Sequence, residues 1–146
     1  MINHNNNILK WNGIRIVGHL VKVDKEDKID KLLGTFYDLL NCGKLITAGN
    51  TIAALADIVL AKPQYTEKIT EELLKVENYD YDTIECRNIV IGHVINALNL
   101  YFCQISDIYI IIPFLYRQTN NSRNATSKKA QKFLKKINAK FNMKNK

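Results

Sequence analysis

Residues 47–63 read TAGNTIAALADIVLAKP. Counting from Asn50, Ile52 stands two positions on, Ala56 six and Val59 nine. At about 100° per residue these offsets fall on one side of an α-helix, and a small residue in such a stripe lets a neighbouring backbone approach closely. The pattern recurs. Asn12, Asn50, Asn88 and Asn124 are separated by 38, 38 and 36 residues. Two positions after each come Ile14, Ile52, Val90 and Thr126; six after, Gly18, Ala56, Val94 and Ala130; nine after, Val21, Val59, Ala97 and Phe133. Self-similarity at a period of one helical hairpin is the mark of a repeat architecture.

Other helices lie between these. Lys25 to Asn41 carries Ile29, Leu32, Leu33, Phe36, Leu39 and Leu40 at three- and four-residue spacing and stops at Cys42-Gly43, a C-terminal glycine. Pro63 opens the next, with Ile69, Leu73, Leu74 and Val76 as its stripe. Ile105 to Gln118 is apolar nearly all round, which predicts burial and a kink at Pro113. The spacing predicts seven helices, over 8–22, 25–41, 44–61, 64–77, 82–102, 106–118 and 122–141. Asp24, Thr47, Asp82 or Thr83, Ser106 and Ser122 stand as N-terminal caps. Short loops make consecutive helices antiparallel, so inner and outer helices alternate.

With 146 residues the chain suits one domain. Three parts are expected: residues 1–7 as a polar arm or remnant, 8–141 as the repeat domain and 142–146 as a basic tail. The first helix is an inner one without its outer partner, so either 1–7 is a degenerate remnant or the chain is the C-terminal part of a longer protein. Only 2 Pro and 6 Gly disfavour an all-β fold, which needs many turns. The apolar run Ile108–Tyr116 is far below the ~20 residues of a membrane span. MINHNNNILK is polar where a signal peptide is apolar, and three cysteines without paired spacing suit a reducing, cytoplasmic setting. The glycosylation patterns at Asn120–Ser122 and Asn124–Thr126 then read as chance in an Asn-rich chain.

Residues 47–63, ECRNIVIGHVINAL (85–98) and SRNATSKKAQKFLKKI (122–137) resemble the second helices of HEAT repeats, and more particularly small bacterial and archaeal HEAT-repeat proteins. The resemblance covers about residues 8–141, with a period short for that family. It implies an armadillo-like α-solenoid of about three and a half hairpins that serves as a binding surface, without implying catalysis. HEAT-like folds also include DNA alkylation-repair glycosylases, whose groove uses tryptophans and an Asp. Trp11 and Asp57 alone match here, and that reading is set aside.

Net charge is +7, unevenly spread. Residues 117–146 hold ten basic residues and no acidic one; residues 1–116 hold 11 basic and 14 acidic. Ile, Lys and Asn make up 53 of the 146 residues, as an AT-rich genome gives, so the lysine excess weighs less than the same charge on Arg. On the last helix Ala130, Phe133, Leu134, Ile137 and Phe141 share the buried face, and Lys128, Lys132, Lys135 and Lys136 the other. With Arg123 these lysines form a candidate phosphate- or nucleic-acid-binding surface, or else the solvated face of a capping helix. Arg15, His19, Asp57 and Asn99 are the candidate partner-facing residues of the inner helices, although Ile91 and Ile95 share their azimuth. The four asparagines are expected to bond the next helix and fix repeat register. His93 is read as an interhelical, hydrogen-bonded histidine, and Cys42, Cys86 and Cys103 as small buried side chains. Cys86 and His93, at i and i+7, lie about 10 Å apart along a helix, too far for a catalytic couple. Glu67, Glu71 and Glu72 read as an exposed face paired with Lys68 and Lys75. No spacing in the chain marks a metal, a cofactor or a catalytic group, and the expected role is a non-enzymatic scaffold for a protein partner.

Overall fold

The computed structural model describes residues 2, 5–24 and 28–144, without the side chains of 143 and 144. The described residues are helical and form no strand: α1 (Asn7–Leu20), α2 (Lys28–Leu40), α3 (Leu45–Ala61), α4 (Thr66–Leu74), α5 (Ile84–Leu100), α6 (Ile112–Thr119) and α7 (Asn124–Lys144), with short 3-10 turns between several of them. Residues 25–27, where the second helix was expected to begin, and parts of the N-terminal arm and basic tail lie outside the described residues. No helix among the described residues is long and apolar enough to cross a membrane.

The twelve positions at offsets two, six and nine are all buried, from Ile14 and Gly18 on α1 to Ala130 and Phe133 on α7. They join α1 to α3, α3 to α5 and α5 to α7. A constant step in the pairings gives the relative direction of these helices. Trp11 meets Thr47 and Gly18 meets Ala54, each 36 residues apart. Thr126 bonds the carbonyl of Asn88, and Lys129 that of Gly92. Constant differences, rather than constant sums, mean that the paired helices run parallel. The small residue at offset six is used as its size suggests. A Cβ added to Gly18 would stand 2.9 Å from the Ala54 Cα, so the two backbones nearly touch.

The even-numbered helices pack on the other side, α2 on α3, α4 on α3 and α5, α6 on α7. Charges on this side link segments 38 to 40 residues apart. Asp24 meets Lys62 at 3.2 Å, Asp30 meets Lys68 at 3.9 Å, and Arg117 grips Glu77 through Nε (3.1 Å) and Nη2 (2.6 Å). Gln118 adds a third bond to Glu77. Such a bidentate pair is geometrically specific, whereas exposed monodentate pairs contribute little.

Local signals explain several boundaries and correct others. Gly43 has φ of +76°, the left-handed conformation that ends the path of α2 and that a glycine adopts without strain. Thr83 caps α5 by accepting from the Cys86 N–H, and Asp24 accepts from the N–H groups of Lys28 and Ile29. Thr47 is not a cap. It lies inside α3, whose start is Lys44, and its hydroxyl accepts the Trp11 indole N–H at 3.0 Å. Ser106 and Ser122 likewise do other work: the Ser106 N–H donates to Glu67, and the Ser122 hydroxyl accepts from Asn88. The expected helix 106–118 is α-helical only from Ile112. Pro113 stands in its first turn and starts it, instead of kinking it, because its missing N–H costs nothing there. Tyr109 and Tyr116 are exposed, so this segment is less buried than its composition implies.

The asparagine register does not form. Only Asn88 is buried and reaches a neighbouring segment, donating to Ser122 and accepting from Asn121. Asn50 bonds Ile46 within its own helix, and Asn12 and Asn124 are exposed. The cysteines are not core residues either: Cys42 and Cys103 are exposed and Cys86 is half-buried.

Candidate functional site

Two grooves open between the odd-numbered helices. The first, of about 380 Å³, lies over α1, α3 and α5. Ile52, Ala56 and Leu100 give it apolar surface, and Arg15, Asp57, His93 and Asn96 give it polar groups. Arg15 and His19 are one turn apart on α1, so both reach Asp57 on α3. Arg15 Nη1 stands 3.4 Å and His19 Nδ1 3.7 Å from the same carboxylate oxygen. The two facing atoms of Arg15 and Asp57 are buried and outside hydrogen-bond geometry, so they attract by charge alone.

The second groove, of about 450 Å³, runs between α5 and α7. Asn96 and Asn99 supply one wall, Lys129, Lys132 and Lys136 the other, and Ile95 and Phe133 the floor. Asn96 belongs to both grooves, which makes them one strip. Positions 129, 132, 136 and 140 share the side of α7 that faces α5. Their contacts keep one step: Lys129 with Gly92 O, Lys136 with Asn99 Oδ1 (2.6 Å) and Lys140 with Cys103 Sγ, each 37 residues away. Lys136 and Lys140 also stand 5.7 and 4.7 Å from the centroid of the Phe102 ring, as cations over an aromatic face do.

Electrostatics at the junction run one way. Burial, then the Arg123 charge, hold the Lys129 ammonium below the usual lysine pKa. Burial, then Lys129 and Arg123, push His93 below the usual imidazole value. His93 stands between helices, its ring 3.7 Å from where a Gly49 Cβ would be, but it is exposed at the groove rim and makes no hydrogen bond among the described residues, so the expected hydrogen-bonded histidine does not form.

The structure therefore gathers Arg15, His19 and Asp57, and places Asn99 apart from them, under Lys136. Ile91 and Ile95 are buried. Of the basic candidates, Lys132 and Lys136 line the second groove, while Lys128 and Lys135 face away from α5, out to solvent. Arg123 is engaged by Glu85 at 2.8 Å. Phe141, expected on the buried side, is partly exposed. Glu67 and Glu72 are half-buried and occupied, by the Ser106 N–H and by Lys75. Lys129 and Asn96 were missed. The step of 37 residues from Gly92 and Asn99 to Lys129 and Lys136 carried that signal.

No group of three or more His, Cys, Asp or Glu among the described residues is placed to hold a metal. Trp11 is half-buried and bonded to Thr47, not directed into a groove. Comparison of the chain with family models, curated proteins and solved structures returns no match.

Proposed function

We propose that the chain is a short HEAT-like α-solenoid, a non-catalytic scaffold that binds a protein partner along the exposed side of α1, α3, α5 and α7. The carrying observation is the strip itself: two grooves meeting at Asn96, each with apolar residues (Ile52, Ala56 and Leu100; Ile95 and Phe133) beside polar and charged ones. That mixture suits an extended polypeptide, which presents apolar side chains and unpaired backbone groups together. The solenoid reading is supported by the parallel course of α1 with α3 and of α5 with α7, whose contacts repeat at a step of 36–38 residues. Neighbour-only packing of this kind is what a stack of hairpins requires. Free thiols at Cys42, Cys86 and Cys103 suit a reducing, cytoplasmic compartment.

A photo-crosslinking amino acid in place of Asn96, compared with one in place of the exposed Asp38 on α2, tests this. A polypeptide captured from position 96 and not from 38 is the expected result. Equal capture at both positions, or recovery of nucleic acid alone, counts against it. A second reading, nucleic-acid binding through α7, is favoured by the exposed Lys128, Lys132 and Lys135, which pair with no carboxylate among the described residues. Neutralising three phosphates gives a salt slope of about −2 to −3 in a gel-shift titration, and a flat response removes this reading.

A further inference from the structure

Resting on the scaffold reading, we infer that the α5–α7 groove takes an acidic segment of the partner, a stretch of Asp or Glu side chains in extended conformation. The groove has cations on one wall and no carboxylate anywhere in its lining. Lys129, Lys132 and Lys136 rise about 4.5 and 6 Å from one to the next along α7. An extended peptide returns to the same side about every 6.6 Å, close to the rise from Lys132 to Lys136, so alternate carboxylates meet that pair. The opposite wall supplies Asn96, whose amide offers a donor and an acceptor to a peptide main chain, and the amide N–H groups of Asn99, whose oxygen is held by Lys136.

A merely solvated helix face does not account for this arrangement. Solvation is what Lys128 and Lys135 show. Lys129 instead lies half-buried, its one polar partner among the described residues being the Gly92 carbonyl at 3.4 Å, with Arg123 repelling it. Lys136 and Lys140 lean over Phe102 on the α5 side. A bound carboxylate supplies the missing countercharge. Nucleic acid fits less well, because Phe133 is only 2% exposed and offers no stacking face. The three lysines also span only about 10 Å of helix, a short track for phosphate-driven affinity.

The test uses the full chain and a fluorescein-labelled peptide of four Glu followed by two Leu, read by anisotropy, with a labelled dT12 oligonucleotide as a parallel probe. Two double variants remove equal charge: Lys132→Gln with Lys136→Gln in the groove, and Lys128→Gln with Lys135→Gln outside it. Circular dichroism establishes that both fold. The groove pair is expected to weaken peptide binding by about tenfold or more, and the outer pair by less than about twofold. Equal losses in the two pairs overturn the inference, since attraction to a basic helix at large then explains the binding. So does the absence of peptide binding to the unmodified chain, or tighter dT12 binding that the groove pair abolishes. Crosslinking from position 96 is independent of this peptide: capture of a partner there without peptide binding removes the acidic segment and leaves the scaffold.

Discussion

Two glycines sit inside helices in opposite surroundings, and a single methyl group at each measures the contact between α1 and α3. Gly34 is exposed on α2 with nothing within 4 Å of an added Cβ. Gly18 is buried on α1, where the same atom meets Ala54 at 2.9 Å (Cα) and 3.0 Å (Cβ). In either helix, alanine in place of glycine stabilises by about 1 kcal/mol through backbone entropy. At Gly34 nothing opposes that gain. At Gly18 the methyl presses on backbone, which has no rotamer with which to yield, and over-packing costs about 1–3 kcal/mol. Gly34→Ala is therefore expected to gain about 1 kcal/mol and Gly18→Ala to lose about 0–2 kcal/mol. Their difference of about 1–3 kcal/mol isolates the clash, because the propensity term cancels. Thermal melts followed at 222 nm resolve it, since 1 kcal/mol shifts Tm by about 2–4 °C at this size. Equal rises in Tm for the two variants refute the close approach of α1 to α3.

Other perturbations test the interior and its charges. The Tyr37 hydroxyl is buried without a hydrogen-bond partner and, by burial and then the charges of Glu72 and Asp30, is pushed up to about 12; Tyr37→Phe is expected to raise stability by up to about 1 kcal/mol in urea titrations. Tyr101 differs, because its hydroxyl pairs with the buried Thr70 at 3.1 Å; Tyr101→Phe strands that partner and is expected to cost about 1–2 kcal/mol. Burial opposes the charge on Asp24, but bonds from the Ile29 N–H, Lys62 and the Lys28 N–H outweigh it and hold the carboxyl below the usual range. Its stabilisation is present above the ordinary carboxylate pKa and is lost as pH falls through the depressed one; Asp24→Asn is expected to lower Tm at pH 7 and to flatten the acid limb of the Tm–pH curve. Lys129→Gln removes a positive neighbour of His93, so the His93 midpoint read by NMR is expected to move up.

The buried stripes were legible because apolar spacing answers to one requirement, removal from water, and that requirement is the same in all four odd-numbered helices. The asparagines shared a spacing but not a requirement. Asn50 is the sixth residue of α3 and Asn88 the fifth of α5, whereas Asn124 is the first of α7. Near-equal sequence intervals thus place them at different positions along their helices. Helix starts failed for a related reason. Ser and Thr serve as caps only where their own backbone is non-helical, and Lys44, not Thr47, takes the extended conformation at the start of α3. Composition also misplaced the cysteines. Cys42 follows α2 and Cys103 lies in the 3-10 turn after α5, where chain path rather than side-chain character sets exposure.

Codon bias explains how many lysines the chain carries, but not which side of α7 they occupy. Of the ten basic residues after position 116, both arginines are tied to carboxylates of preceding segments, Arg117 to Glu77 and Arg123 to Glu85. Every acidic residue of the chain lies before position 117, so these pairs link the basic end to the rest of the fold and use up the arginine charge. The lysines are left over, and they divide. Lys128 and Lys135 take the outward side and are exposed. Lys129, Lys132, Lys136 and Lys140 take the side toward α5, where Lys129 is half-buried and Lys136 and Lys140 stand over the Phe102 ring. On the acidic-segment inference a counterion arriving with the partner answers the charge at Lys129, which burial and Arg123 weaken, and the matched lysine pairs separate that inference from an accident of composition.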